Sequence, residues 1–151
     1  MTKEEYMQIA LNLARQAAQG DEVPIAALIV NPATGEIVAE AANQSAHGGN
    51  ATDHAELTAI RKACQKLQTT RLWDLDMYVT LEPCTMCAAA ISFVRISNLY
   101  FGAVDEKGGA VVSGVKFYDA PTCHHRPHVE YGICADECAT LLKDFFKQKR
   151  I

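Results

Sequence analysis

No stretch of this sequence is apolar over the ~20 residues needed to cross a bilayer, because Arg, Lys, Asp or Glu interrupts each candidate run. The opening residues Met1-Thr2-Lys3-Glu4-Glu5-Tyr6 have no apolar core of the kind a secretory leader carries. A membrane span and export are therefore not expected. The six cysteines are read as reduced thiols of a cytoplasmic protein rather than as disulfides. Positive charge is also scarce: 14 Lys and Arg against 18 Asp and Glu leave a formal net charge of -4. Strong polyanion affinity rests on Lys and Arg clusters meeting phosphates, so any nucleic-acid contact must come from a local basic surface. Internal repeats, low-complexity tracts and linkers are missing too, and 151 residues suit one domain around one core, residues 1–151.

What is present is periodic. Tyr6, Ile9, Ala10, Leu13, Ala14 and Ala17 recur at steps of three and four, predicting an amphipathic helix that ends near Gly20 and packs on a sheet. Val23 to Val30 is almost continuously apolar, residues 31–35 are a turn cluster, and Ile37 to Ala41 resumes an extended pattern, which together predict an antiparallel hairpin. After a polar, Gly-containing stretch, a second helix starts near Asp53 or His54, with Leu57, Ile60, Cys64 and Leu67 on its stripe. A strand over Met77–Leu81, a helix over Cys84–Arg95 and a strand over Asn98–Gly102 form a βαβ unit, which favours parallel pairing. Cys134, Cys138, Leu141, Leu142 and Phe145 mark a last helix. Residues 111–131 carry no pattern that assigns them a fold.

The chemistry concentrates in two short segments. His54-Ala55-Glu56 offers an imidazole and a carboxylate, and Pro83-Cys84-Thr85-Met86-Cys87 offers two thiolates that one helical turn brings together. A His and two Cys make three ligands, one fewer than a closed structural zinc site, so the set suits catalytic zinc with a position left for water. Zinc lowers the pKa of such a water to about 7. Blander readings stand beside this one. Cys84-x-x-Cys87 alone fits a thioredoxin-like redox pair, and Asp53 to Glu56 fits a capping-box-like helix start in which Glu56 is only a cap. Cys64, Cys134 and Cys138 fall on apolar stripes and are assigned to the core. Cys123, His124, His125 and His128 are read as a solvated or RNA-facing loop, not a second metal site.

The pattern H-x-E followed by P-C-x-x-C is that of zinc deaminases acting on nucleobases. The chain resembles the bacterial tRNA-specific adenosine deaminases, within the zinc-dependent cytidine/deoxycytidylate deaminase superfamily. The resemblance runs through Asp21-Glu22-Val23-Pro24-Ile25, His54-Ala55-Glu56, the run from Tyr78 to Cys87, Phe101-Gly102-Ala103, Lys107-Gly108-Gly109 and Ala135-Asp136-Glu137-Cys138, and so covers nearly the whole chain. It implies a single-domain three-layer α/β/α fold with a central mixed sheet, a homodimer, and conversion of the wobble adenosine of a tRNA anticodon loop to inosine. It also implies one zinc per chain on His54, Cys84 and Cys87, Glu56 as proton shuttle, and Asn43 holding the target nucleoside. Asp105, Lys107 and Arg126 are further candidate substrate contacts, and Lys147, Lys149 and Arg150 would complete a basic rim. Asp53 departs from the family, which commonly has a small apolar residue there. Two rival functions remain: a deaminase of free guanine or a nucleoside, and a non-catalytic zinc-stabilised interaction module.

Overall fold

The computed structural model describes residues 1–46 and 49–149. Helix α1 (Lys3–Gln19) starts at a capping box: Thr2 Oγ1 accepts from the Glu5 N–H at 3.1 Å, and Glu5 Oε1 accepts from the Thr2 N–H at 2.9 Å. Its sealed positions are Tyr6, Met7, Ala10, Leu11 and Ala14. Ile9 and Leu13, on the predicted stripe, are only half-buried. The apolar face is therefore shifted round the helix, because α1 meets both the sheet and a neighbouring helix, α4 (Ala135–Lys149).

The apolar run from Val23 becomes a strand only at Ala26, giving β1 (Ala26–Val30). β1 is hydrogen-bonded on both sides, and Pro24 has no N–H to give to a ladder, so the strand starts beyond it. β1 pairs antiparallel with β2 (Ile37–Ala42) and with β3 (Asp76–Leu81). The intervening helix α2 spans Ala55–Leu67. β3, helix α3 (Thr85–Phe93) and β4 (Asn98–Ala103) form the predicted unit with parallel strands.

Residues 111–131 supply a 3₁₀ turn at Phe117–Asp119 and an edge strand β5 (His128–Tyr131) parallel to β4. β5 is four residues long and sealed at none of them, so it carries no hydrophobic period to read. The sheet order is β2-β1-β3-β4-β5.

Alternation along the strands divides the core in two. Ala27, Ile29, Met77, Val79, Leu99 and Phe101 face Ala59, Ile60, Ala63, Ala88 and Ile91 of α2 and α3. Leu28, Val30, Tyr78 and Tyr100 face Met7, Leu11 and Cys138 of α1 and α4. This is the expected three-layer α/β/α arrangement. Of the other core cysteines predicted, Cys64 and Cys134 are half-buried against these clusters. None of the described helices is long and apolar enough to cross a membrane.

The pairings set a direction that matters for function. β2, β3, β4 and β5 all run one way and β1 runs against them. The carboxyl ends of β2, β3 and β4 therefore share one rim of the sheet with the segment that enters β1. Phe101, fully buried at the centre of β4, stacks on Tyr131 with centroids 5.2 Å apart and ties this rim to β5. Phe101→Ala is expected to lower unfolding free energy by about 3–5 kcal/mol, the range for a truncated core aromatic, as measured by chemical denaturation.

Candidate metal centre and substrate pocket

Two chain segments leave that rim and each turns into a helix whose N-cap is a candidate ligand. His54 is the N-cap of α2 and Cys84 the N-cap of α3, both in extended backbone and neither making a side-chain capping bond. An N-cap side chain ordinarily turns back over the first turn toward the third helical position. In α3 that position is Cys87, so the C-x-x-C spacing puts the second sulfur where a capping partner would sit. His54 Nδ1 lies 3.6 Å from Cys84 Sγ and 3.6 Å from Cys87 Sγ, and one ligand atom from each residue lies within 4.8 Å of the others. Tetrahedral zinc with bonds of about 2.3 Å to sulfur and 2.0–2.1 Å to nitrogen separates such ligands by about 3.5–3.6 Å, so the donor set fits the metal in type and spacing. Among the described residues, this is the one group of three or more candidate ligands drawn together.

The two thiols at the centre are unlike. Cys84 is pulled down to about 5, mainly because the Cys87 side chain hydrogen-bonds to its sulfur. Cys87 is pushed up, by holding that hydrogen bond and by burial. Helix N-termini also favour thiolate, and Cys84 sits at one. Glu56, in the first turn of α2, is 4% exposed, and burial raises its carboxyl to about 7.

The capping-box reading of Asp53 and Glu56 does not describe this helix start, since His54 is the cap and Glu56 lies beside the sulfurs. Asp53 instead holds the preceding loop: its Oδ2 accepts from the Asn50 N–H at 2.8 Å, and Arg61 pairs with its Oδ1 at 3.5 Å.

A cavity of about 240 Å³ opens on the centre, lined by Ile25, Asn43, His54, Glu56, Leu81, Glu82, Cys84, Asp105 and Gly108. Asn43 is buried in its wall and donates from Nδ2 to Ser45 Oγ at 2.9 Å. Beside it lies a wider groove of about 580 Å³ with an apolar floor that includes Val23, Leu142 and Phe146, and with Lys107 at its edge. Asp105, Ile25 and Leu81 border both spaces.

The remaining sequence candidates are elsewhere. Arg126 borders neither space; it donates from Nε to the Tyr118 carbonyl and from Nη2 to the Ala120 carbonyl at 3.0 Å, bracing the 3₁₀ turn. Lys149 pairs with Asp21 and lies over the Phe145 ring, Lys147 is exposed, and Arg150 lies outside the described residues. The segment read as a solvated or RNA-facing histidine loop is mixed: His124 and His128 are exposed, whereas Cys123 is buried, Ser92 Oγ donates to the His125 carbonyl at 2.6 Å, and His125 Nε2 lies 2.7 Å from the Ile96 carbonyl. Glu82 was missed as a site residue; its signal was a carboxylate directly before Pro83-Cys84.

The pattern of the cytidine and deoxycytidylate deaminase zinc-binding region matches residues 1–103. A tRNA-specific adenosine deaminase of Agrobacterium fabrum is 51% identical over 146 residues, covering 97% of this chain and 95% of the relative. One of Aquifex aeolicus is 42% identical over 150 residues, covering 99% and 97%. A solved structure from work on A-to-I editing by tRNA:A34 deaminases superposes with a TM-score of 0.88 at 51% identity, covering 91% of this chain and 99% of that one. A guanine deaminase from Nitrosomonas europaea shares the fold with a TM-score of 0.77 at 23% identity, over 94% and 83%.

Purified protein is expected to carry one zinc per chain. Cys84→Ser and Cys87→Ser should each lower occupancy, because a hydroxyl is a much poorer zinc ligand than a thiolate. Elemental analysis decides, and stoichiometric zinc in both variants would place the ligands elsewhere.

Proposed function

The chain belongs to the cytidine and deoxycytidylate deaminase zinc-binding family, and from that premise we propose that it is a tRNA-specific adenosine deaminase converting the wobble adenosine of an anticodon loop to inosine. The observation that carries the chemistry is one buried carboxylate, Glu56, held beside His54, Cys84 and Cys87 at the floor of a base-sized cavity. Near-full-length identity to tRNA-specific adenosine deaminases supports the tRNA substrate.

His54, Cys84 and Cys87 would hold the metal. When bound, zinc supplies the Lewis acidity that makes water a nucleophile at neutral pH. Glu56 acts as the proton carrier. Burial brings its carboxyl close to neutral pH, where a group can both take and give a proton. It passes one proton to the purine ring nitrogen beside the reacting carbon and one to the departing ammonia, so that water and adenosine become inosine and ammonia. Asn43 offers its side-chain amide to the target nucleoside from the cavity wall. Asp105 borders both the cavity and the groove, and Lys107 stands at the groove's edge to meet the backbone or flanking bases.

A deaminase of free guanine needs the cavity alone, whereas a polynucleotide would also use the adjoining groove, which Lys107 lines. A non-catalytic zinc module needs Glu56 as a cap, a place His54 fills.

Residues 1–151 would form one catalytic domain that works as a homodimer in the cytoplasm. Phe93 and Val115, 68% and 65% exposed, offer apolar surface for a second copy. Six free cysteines suit a reducing compartment.

For Glu56→Gln, folded and zinc-loaded protein should deaminate an anticodon stem-loop at least about 100-fold more slowly, since an amide cannot carry the proton. Near-normal turnover would remove Glu56 from the mechanism. Stem-loop binding should weaken as salt rises, with a slope of log affinity against log salt of about -0.7 per phosphate contact. A flat salt titration would speak against contact with the RNA backbone.

A further inference from the structure

Glu82 is 2% exposed, yet it carries a carboxyl group whose desolvation must be offset. One loop, residues 105–113, supplies what offsets it. Oε1 accepts from the Asp105 N–H and from Ser113 Oγ, both at 3.0 Å. Oε2 accepts from the N–H groups of Val111, Val112 and Ser113 at 3.0, 2.9 and 3.0 Å. Four backbone N–H groups and one hydroxyl thus satisfy both carboxyl oxygens.

The fit is close enough to dictate a glycine. A Cβ on Gly109 would stand 2.3 Å from Glu82 Cδ and 2.6 Å from the Asp105 carbonyl oxygen. The Ala110 N–H donates to the Pro83 carbonyl at 2.9 Å, tying the loop to the residue before Cys84. The Asp105 carboxylate, with its own backbone N–H fixed by Glu82, accepts in turn from the N–H groups of Lys107 and Gly108 at 3.1 and 3.0 Å.

These bonds end at the substrate. Asp105 and Gly108 line the cavity with Glu56 and Asn43, and Asp105, Glu106 and Lys107 line the groove beside it. We propose that Glu82 is a positioning residue for substrate binding: its carboxylate locks the loop 105–113 to the metal-bearing strand end, fixing the wall that separates cavity from groove. This inference rests on the deaminase reading of the same site. A carboxylate that merely held the fold would, when altered, lower stability without changing how substrate is bound.

The test is Glu82→Gln in the zinc-loaded full chain. The glutamine oxygen can still serve Val111, Val112 and Ser113, which leaves its NH2 group against the Asp105 N–H, two donors facing one another. Zinc content and kcat on an anticodon stem-loop are expected to stay within about threefold, while KM rises at least about tenfold, the pattern of lost binding rather than lost chemistry. Amide hydrogen exchange, read without substrate, should be at least about tenfold faster at Asp105, with β3 and β4 unchanged. An unchanged KM, or unchanged exchange at Asp105, overturns the proposal. Should wild-type protein not act on the stem-loop, the tRNA reading fails, while the exchange result still decides whether Glu82 holds the loop. If Glu82→Gln does not fold, Ser113→Ala, which removes only the hydroxyl donor, takes its place. It should raise KM by about threefold with zinc and kcat kept, and an unchanged KM there also overturns the proposal.

Discussion

The structure depends on two helix N-termini meeting at one point. β2 and β3 run the same way with β1 between them and against them, so the chain leaves both strands on one rim and starts α2 and α3 there. Each helix begins with a residue whose side chain is available for another partner, His54 in one and Cys84 in the other. Donors that would have capped separate helices instead face a common point, 3.6 Å apart. The exposed N–H groups at both helix starts make that point favourable for anionic sulfur. Moving either strand by one residue would turn its side chains to the other face of the sheet and break the convergence.

Around that point the protein holds two buried carboxylates in opposite ways. Glu56 is raised by burial toward neutrality, which is useful for a group that must both accept and release a proton. Glu82, in the same cavity wall, is lowered by a set of amide donors and so stays charged. A carboxylate kept anionic suits a fixed structural anchor, and one poised near pH 7 suits a carrier. The environments, not the residue type, set the two carboxyls apart.

Much of this was legible in the sequence because the ligand spacing obeys helix geometry: H-x-E and C-x-x-C each occupy a single helical turn. The βαβ unit and the hairpin were legible because their strands are buried and apolar. What was not legible depended on partners far away in the chain. Arg126 is a candidate substrate contact in the sequence, and the structure adds that its guanidinium holds the Tyr118 and Ala120 carbonyls and borders neither the cavity nor the groove. β5 is an edge strand without a sealed residue, so no hydrophobic period marks it. The sealed face of α1 shifted to Met7 and Leu11 because a second helix lies beside it. Glu82 stands directly before Pro83-Cys84, but its role was not legible because four of its five partners are backbone amides of residues 105–113, which sequence does not distinguish.

The most direct test of the central claim is to incubate zinc-loaded wild-type protein with an anticodon stem-loop carrying a wobble adenosine, beside free guanine and free adenosine at matched concentration, and to quantify deaminated product by mass spectrometry. The account predicts inosine at the wobble position of the stem-loop and little or no conversion of the free compounds. Rapid conversion of free guanine with the stem-loop adenosine intact would contradict it.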